Sequence, residues 1–319
     1  MVSRTKERKP FAVVTGVRGF TGAYVLRELR GAGYQVLGTG LDAGGENERA
    51  LDITSLEQCR QIIDETRPTH IVHLAASSFV ADDDALDMYR INVLGTINLL
   101  QACTDSGHVP EKILIASSAN VYGNNTAGVI EEECVPAPVS HYGASKLAME
   151  HLVRTWFDRL PIVVTRPFNY TGCGQSARFL VPKIVSYFVD KKPYIELGNL
   201  DVARDFSDVR TVASIYRALL EAEVAGEIVN VCSERPYSLQ EVVEMVRRVS
   251  GHDLEVRVNP SFVRANEVNV LVGSAAKLRR FVPDLPPIPF FETINWMVAE
   301  GLAPSRRGSR AANSPATSA

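Results

Sequence analysis

The chain has 319 residues, 45% hydrophobic and 22% charged, with a net charge of −3; this is the profile of a soluble globular protein with one large core or two interlocked ones. So small a charge gives no bulk electrostatic reason for a nucleic-acid or membrane-surface partner, and no apolar run approaches the ~20 residues of a membrane span. The five cysteines are scattered, with no Cys-x-x-Cys pair and no Cys/His cluster at ligand spacing, which argues against a disulfide framework and against a metal site.

Phe11–Thr15 reads as a buried strand, followed by a glycine-rich turn, a helix from about Thr21 to Gly31 closed by Gly33, and a second strand at Tyr34–Leu37. Thr54-Ser55-Leu56-Glu57 has capping-box spacing and opens a helix that runs toward Arg67-Pro68. A third strand is predicted at His70–Ala76, a long helix at Met88–Ser106 and a fourth strand at Lys112–Ser117. Helical periodicity over Ser140–Leu160 and a fifth strand at Ile162–Arg166 follow. Strands apolar on both faces, alternating with helices, predict an α/β fold: a doubly wound, Rossmann-like parallel sheet covered on each side. After Asn169 the pattern loosens. Arg178–Asp205 and Asn259–Val272 read as loops and short elements. Between them lie a helix at Asp208–Glu223, a strand at Glu227–Val231 and a helix opened by the capping box Ser238-Leu239-Gln240-Glu241. The organisation expected is a dinucleotide-binding region over 1–168 with returns near 208–232, a smaller interwoven substrate region over 169–303, and a disordered tail over 304–319. The basic opening segment has no apolar stretch of a secretory signal, so a cytoplasmic location is expected.

Three motifs carry chemistry. In Thr15-Gly16-Val17-Arg18-Gly19-Phe20-Thr21-Gly22, glycines at i, i+3 and i+6 join a strand to a helix. There the backbone turns tightly and lets a pyrophosphate approach the helix N-terminus, whose amides and dipole favour anions; a strand-to-helix turn that is merely glycine-rich is the alternative. Asp52-Ile53 would sit by the adenine, unless Asp52 is only a carboxylate near a helix start. Leu74-Ala75-Ala76 at the third strand's carboxyl edge lets a dinucleotide pass close to the backbone, while His73 reads as a packed strand residue. In Tyr142-Gly-Ala-Ser-Lys146 the tyrosine and lysine share a helix face. A lysine ammonium beside the phenol lowers its pKa and makes Tyr142 a proton donor to a developing alkoxide, although most Tyr-x-x-x-Lys sequences are solvated faces. The third motif, Ser117-Ser118-Ala119-Asn120-Val121-Tyr122-Gly123, ends the fourth strand with a serine able to hydrogen-bond a reacting oxygen or simply to form a turn.

With all three in order on the right elements, the chain resembles the extended short-chain dehydrogenase/reductase family over nearly its whole length. The resemblance implies Ser118, Tyr142 and Lys146 as catalytic residues, Lys146 also holding the nicotinamide ribose, and Pro167–Asn169 lining the nicotinamide and sugar end. Arg166-Pro-Phe-Asn169-Tyr-Thr-Gly172, Arg204-Asp205-Phe206-Ser207-Asp208-Val209, Asn230-Val231-Cys232-Ser233 and Arg264-x-x-Glu267 are similar to its GDP-6-deoxy-4-keto-mannose reductases and GDP-mannose 4,6-dehydratases. That likeness implies a GDP-linked 4-keto-6-deoxy hexose or heptose, bound through Ser78, Ser118, Asn169, Lys183, Arg204, Arg264 and Glu267. Any one of these arginines also reads as a surface charge, and Asp208 as a helix cap.

Dehydratases of the family place acidic residues directly after the catalytic serine or threonine. Ala119 and Asn120 stand there in this chain, leaving hydride transfer alone, a 4-keto reduction, as the leading expectation. A C4 epimerase uses the same three residues and stays open, as does, in another class, a non-catalytic dinucleotide sensor, which would normally lose the tyrosine or lysine. Asn169-Tyr-Thr-Gly172-Cys173 departs from the family's Asn-x-x-Gly-Pro. The second strand ends Leu37-Gly38-Thr39-Gly40, without a carboxylate for an adenosine 2′-hydroxyl, and Arg18 is placed to meet a 2′-phosphate; NADPH is expected, with NADH the alternative. The family's usual pairing of the Met88–Ser106 and Tyr142 helices implies a homodimer.

Overall fold

The computed structural model describes residues 9–42, 44–78, 85–124, 128–262 and 270–303. The tail over 304–319, Arg264 and Glu267 lie outside the described residues. In chain order the first half runs β1 (Phe11–Thr15), α1 (Phe20–Gly31), β2 (Gln35–Gly40), β3 (Glu48–Ala50), α2 (Leu56–Thr66), β4 (His70–His73), α3 (Ala85–Tyr89), a π-helical segment (Arg90–Gly95) and α4 (Thr96–Asp105). It continues with β5 (Lys112–Ala116), a 3-10 turn (Ala119–Tyr122), β6 (Val129–Ile130), α5 (His141–Val153) and β7 (Ile162–Pro167). Then come β8 (Asn169–Thr171), α6 (Leu180–Val189), β9 (Tyr194–Leu197), β10 (Ala203–Asp208), α7 (Val209–Glu221), β11 (Glu227–Val231) and β12 (Pro236–Ser238). The chain closes with α8 (Leu239–Ser250), β13 (Glu255–Val258), β14 (Val270–Gly273), α9 (Ala276–Phe281) and α10 (Phe290–Leu302).

The main sheet has seven strands in the order β11-β7-β5-β4-β1-β2-β3, every pair parallel. All four residues of β4 and all six of β7 are buried, as two-sided coverage requires. One face packs against α1 and α7 through Val25, Leu29, Val212 and Leu219, and the other against α2, α4 and α5 through Ile63, Leu99, Leu100 and Met149. Strand order reverses between β1 and β4, which opens a crevice at their carboxyl ends. After β7 the chain builds a smaller assembly around the earlier strand β6: the sheet β12-β10-β14-β6 with β8 beside β10, the pair β13-β9, and an apolar cluster of α6, α8 and α10. Residues of α7 and β11 return to the main sheet.

Four expectations need correction. The helix after Asp52 is capped by Ser55, which accepts from the Gln58 amide, and not by Thr54, whose amide and hydroxyl both go to the Asp52 carboxylate. The third strand stops at His73, so Leu74–Ala76 form its exit loop. The predicted Met88–Ser106 helix is interrupted by the π segment, where buried Asn92 binds the Ser77 backbone and the Ser145 hydroxyl. A side chain at Gly95 would place its Cβ 2.6 Å from Ile53 Cδ1. Finally, the stretch Arg178–Asp205, expected as loops and short elements, contains the ten-residue helix α6 as well as the short strand β9 and the start of β10.

Candidate active site

At the exit of β1 the chain turns through Gly16, whose φ is +70°. A Cβ there would lie 2.8 Å from the Ala75 amide nitrogen, and one at Gly22 would lie 2.4 Å from the Gly16 carbonyl oxygen. Hydrogen at these positions is what lets β1, β4 and α1 converge. Gly19 forms the N-cap of α1 and, lacking a side chain, spends none of the first-turn amides on a cap. That is a built anion cradle at the topological switch point, which fits a dinucleotide's pyrophosphate. Phe20 and Thr21 open the helix above it.

Thr15 and His73 hold the floor of this crevice. Thr15 Oγ1 accepts from the Leu74 and Ala75 amides (3.2 and 3.1 Å) and lies 2.7 Å from His73 Nδ1. Its proton therefore goes to Nδ1. His73 Nε2–H then donates to Thr96 Oγ1 at 3.0 Å, which donates onward to the Asn92 carbonyl at 2.8 Å. Burial, aided by the charge of Lys146, pushes the His73 pKa down to about 3. Between that value and the ~6.5 of an unfolded histidine only the unfolded chain binds this proton, so stability falls as pH drops below about 6.5. By pH 5 the loss from this group should be about 2 kcal/mol. Denaturant titrations of wild type and His73→Gln at both pH values measure it; equal acid sensitivity in the two would refute the assignment.

Asp52 is committed to shaping the turn before α2, where its bonds from Thr54 hold its pKa below the ordinary carboxylate range. The loop-carboxylate reading describes it well, with buried Ile53 beside it. Arg18 lies beside two carboxylates, Glu48 at 3.2 Å and Asp42 at 4.0 Å. Sequence inspection of β2 missed this, because Glu48 arrives on the neighbouring strand, opposite Gly38.

Ser118 sits directly beyond β5 and caps the 3-10 turn. Its Oγ accepts from the backbone and side-chain nitrogens of Asn120 (3.2 and 3.1 Å), which leaves its own proton to donate. Tyr142, in the first turn of α5, receives a hydrogen bond from Ser118 that favours the phenolate. Burial dominates all the same and, with neighbouring Tyr170, pushes the phenol well above its ordinary pKa. Lys146 follows Tyr142 by one turn on α5. Its Nζ donates to the Ala116 carbonyl at 2.8 Å. Burial lowers its pKa to about 8 against the opposing pull of Glu150.

Buried Pro167 and exposed Asn169 follow on and beyond β7, and Asn169 Nδ2 donates to the Asp205 carbonyl. Ser78 is exposed at the end of the loop beyond β4. Lys183 donates to the Glu196 carbonyl and lies over the Phe262 ring at 5.1 Å, on the α6–β9 assembly. Arg204 donates to its neighbour's carbonyl at Ala203. Asp208 caps α7 and pairs with Arg210, as the structural alternative had it. The structure thus brings Ser118 and Tyr142 into contact, with Lys146 one turn further along the helix; Lys183 and Arg204 stand apart from them on the smaller assembly. Sequence reading also missed Tyr170. It hydrogen-bonds Thr21 at 2.8 Å, stacks on Phe20 and adjoins Tyr142, joining the glycine-rich turn to α5.

Residues 12–232 match the model of the NAD dependent epimerase/dehydratase family, from the buried start of β1 to the end of β11. The chain belongs to that family. It is of the extended short-chain dehydrogenase/reductase type, and its members are nicotinamide-dependent oxidoreductases and epimerases. Among curated relatives it is 36% identical to GDP-6-deoxy-D-talose 4-dehydrogenase of Aggregatibacter actinomycetemcomitans over 83% of this chain and 89% of that one. It is 33% identical to GDP-6-deoxy-D-mannose reductase of Pseudomonas aeruginosa over 73% and 80%. Among solved structures, one from Burkholderia cenocepacia J2315, provisionally named an epimerase, is 47% identical with a TM-score of 0.88, covering 92% of this chain and 98% of that one. RMD from Pseudomonas aeruginosa complexed with NADPH is 30% identical with a TM-score of 0.83, over 93% and 100%. The chain is a nucleotide-sugar-modifying enzyme of this family.

Proposed function

We propose that the protein reduces the 4-keto group of a GDP-linked 4-keto-6-deoxy sugar, hexose or heptose, with NADPH preferred over NADH. The observation that carries this reading is Ser118 and Tyr142 in contact at the switch-point crevice, with Ala119 and Asn120 where a dehydration acid and base would stand. The two curated relatives, both named for chemistry on GDP-6-deoxy sugars, point the same way. Gly16, Gly19 and Gly22 would hold the pyrophosphate of a nicotinamide dinucleotide, with Leu74 and Ala75 alongside and Pro167 at its nicotinamide end, and that cofactor would supply the hydride. Tyr142, kept protonated by burial, donates its proton to the carbonyl oxygen as charge develops there, while Ser118 donates a hydrogen bond to the same oxygen. Lys146 contributes positive charge beneath the site. Asn169 lines the sugar end, and Lys183 and Arg204 face the nucleotide. The likeness to RMD with NADPH supports that cofactor, whose 2′-phosphate would have to draw Arg18 away from Glu48 and Asp42.

The test follows NADPH and NADH absorbance as purified protein meets GDP-4-keto-6-deoxy-mannose. Stoichiometric oxidation, faster with NADPH, is expected; no oxidation with either cofactor would remove the substrate assignment. C4 epimerisation is the second reading, favoured by the likeness to the Burkholderia protein. It would interconvert intact nucleotide sugars with no net cofactor consumption.

We also propose a homodimer formed through α3, the π segment and α5. Leu86, Leu94 and Leu152 are 80%, 53% and 39% exposed on these elements, and covering them with a second copy removes a large apolar patch from water. Sedimentation should give a dimer and Leu94→Arg a monomer; a monomeric wild type at micromolar concentration would discard the proposal.

A further inference from the structure

Directly beneath the candidate catalytic groups lies a buried ion pair that the proton chemistry above does not use. Glu150, one helical turn after Lys146, is 1% exposed, and Arg166 on β7 is equally buried. The guanidinium grips the carboxylate through Nε (2.9 Å to Oε1, 3.2 Å to Oε2) and Nη2 (2.6 Å to Oε2). Ser117, the residue before Ser118, donates to Glu150 Oε1 at 2.5 Å. The remaining Arg166 nitrogen reaches the Tyr122 hydroxyl at 2.9 Å and the Glu132 carbonyl at 3.2 Å, and Tyr122 donates on to Asn230 Oδ1 at 2.7 Å. One carboxylate therefore joins the three segments that carry the site: the β5 exit with Ser118, the α5 face with Tyr142 and Lys146, and the end of β7 that leads to Pro167 and Asn169.

A pair this deep is not explained by stability. Desolvation offsets most of its Coulombic attraction, and an apolar pair of similar volume is often as stable. We propose that Glu150 is a positioning residue of the reaction, its carboxylate fixing the Ser118 strand end and presenting a negative charge to Lys146 from within the fold. The groups facing Lys146 leave it no other anion among the described residues. His73 of β4 is neutral, the Ala116 carbonyl of β5 accepts a hydrogen bond from Lys146, and Tyr142 on its own helix is protonated. On the π segment Asn92 turns to Ser77 and Ser145, and Arg90 to Asp87. Burial alone would drive the ammonium toward neutrality, and Glu150 opposes it. Arg166 serves by holding the Glu150 carboxylate in place.

The inference rests on Lys146 working as a cation in the reaction proposed above, so its test includes a measurement that needs neither cofactor nor substrate. In cofactor-free protein labelled with 13C-lysine, the Lys146 side-chain resonance, assigned by its loss in Lys146→Arg, is followed against pH. Glu150→Gln should lower its titration midpoint by on the order of one pH unit, and Glu150→Asp should restore part of the shift. Because the single variant leaves Arg166 unpaired and destabilises the fold, Glu150→Gln/Arg166→Met is made in parallel. Removing both charges should recover most of the lost stability while keeping a downward shift of the same sign. With cofactor and keto-sugar, the alkaline limb of kcat/KM should move to lower pH in the same variants, with KM little changed. A Lys146 midpoint that stays put in the double variant, whatever its stability, overturns the proposal. A shifted midpoint in protein that turns over no keto-sugar leaves the positioning intact and removes the substrate reading instead.

Discussion

Tyr142→Phe should lower the rate of keto-sugar reduction by about 10²–10⁴-fold, equivalent to about 3–5 kcal/mol of transition-state stabilisation, with cofactor affinity and melting temperature close to wild type. The phenol is the group in contact with Ser118, and phenylalanine keeps the ring while deleting the transferable proton. Burial holds the hydroxyl protonated well above neutral pH, so wild-type activity should not fail through loss of that proton between pH 6 and 8. An alkaline decline nearer pH 8 would come from Lys146, whose pKa burial brings to about 8. Ser118→Ala should cost less, since Tyr142 still donates while one hydrogen bond to the developing oxyanion is lost. Steady-state rates at saturating cofactor, with affinity followed by fluorescence quenching, separate these effects. A Tyr142→Phe enzyme within a factor of three of wild type would transfer the donor role to another hydroxyl, and Tyr170 is the neighbour placed to take it.

What the sequence disclosed about this site was local in origin. Glycines at 16, 19 and 22 between a strand and a helix made a pyrophosphate cradle legible from spacing beside the plain-turn alternative, and Tyr142 and Lys146 four apart were legible as one helix face. Spacing could not say where a long side chain ends. Lys146 donates to the Ala116 carbonyl, a partner delivered by β5 and invisible in the helix spacing. Arg166 was noticed as part of a motif, yet its partner Glu150 lies on another element and only the packed sheet brings them together. Helix α6 is hidden within a stretch that reads as loops and short elements, for chemical reasons. Its N-cap is Phe179, which offers no capping oxygen, Pro182 lies in its first turn, and its β-branched residues weaken a helical reading. Packing of Val181, Ile184, Val185 and Phe188 against α8 and α10 supplies what propensity lacks. The Arg18 carboxylates are the same kind of case, since strand pairing delivers Glu48 from ten residues beyond Gly38.

Gly16→Ala should both destabilise the protein and abolish tight dinucleotide binding. At φ +70° an alanine enters the left-handed region at a cost of about 1–2 kcal/mol. Its Cβ would also stand 2.8 Å from the Ala75 nitrogen and 2.9 Å from the Ala75 Cα. Both are backbone atoms fixed by the Thr15 hydroxyl, so relief requires the β1 and β4 exits to separate, adding about 1–3 kcal/mol. That movement pulls the α1 N-terminus away from the crevice, and a methyl group then occupies the surface a pyrophosphate must approach. The dissociation constant for NADPH should rise by roughly 100-fold or more, a loss of about 2.7 kcal/mol. Gly33→Ala is the matched control: its φ is +90°, yet nothing lies within 4 Å of the added Cβ. That variant should show the backbone strain in a denaturation curve and bind cofactor normally. If Gly16→Ala bound NADPH as the control does, its stability loss alone would reflect a tight turn, and the dinucleotide would have to lie elsewhere along the sheet's carboxyl edge.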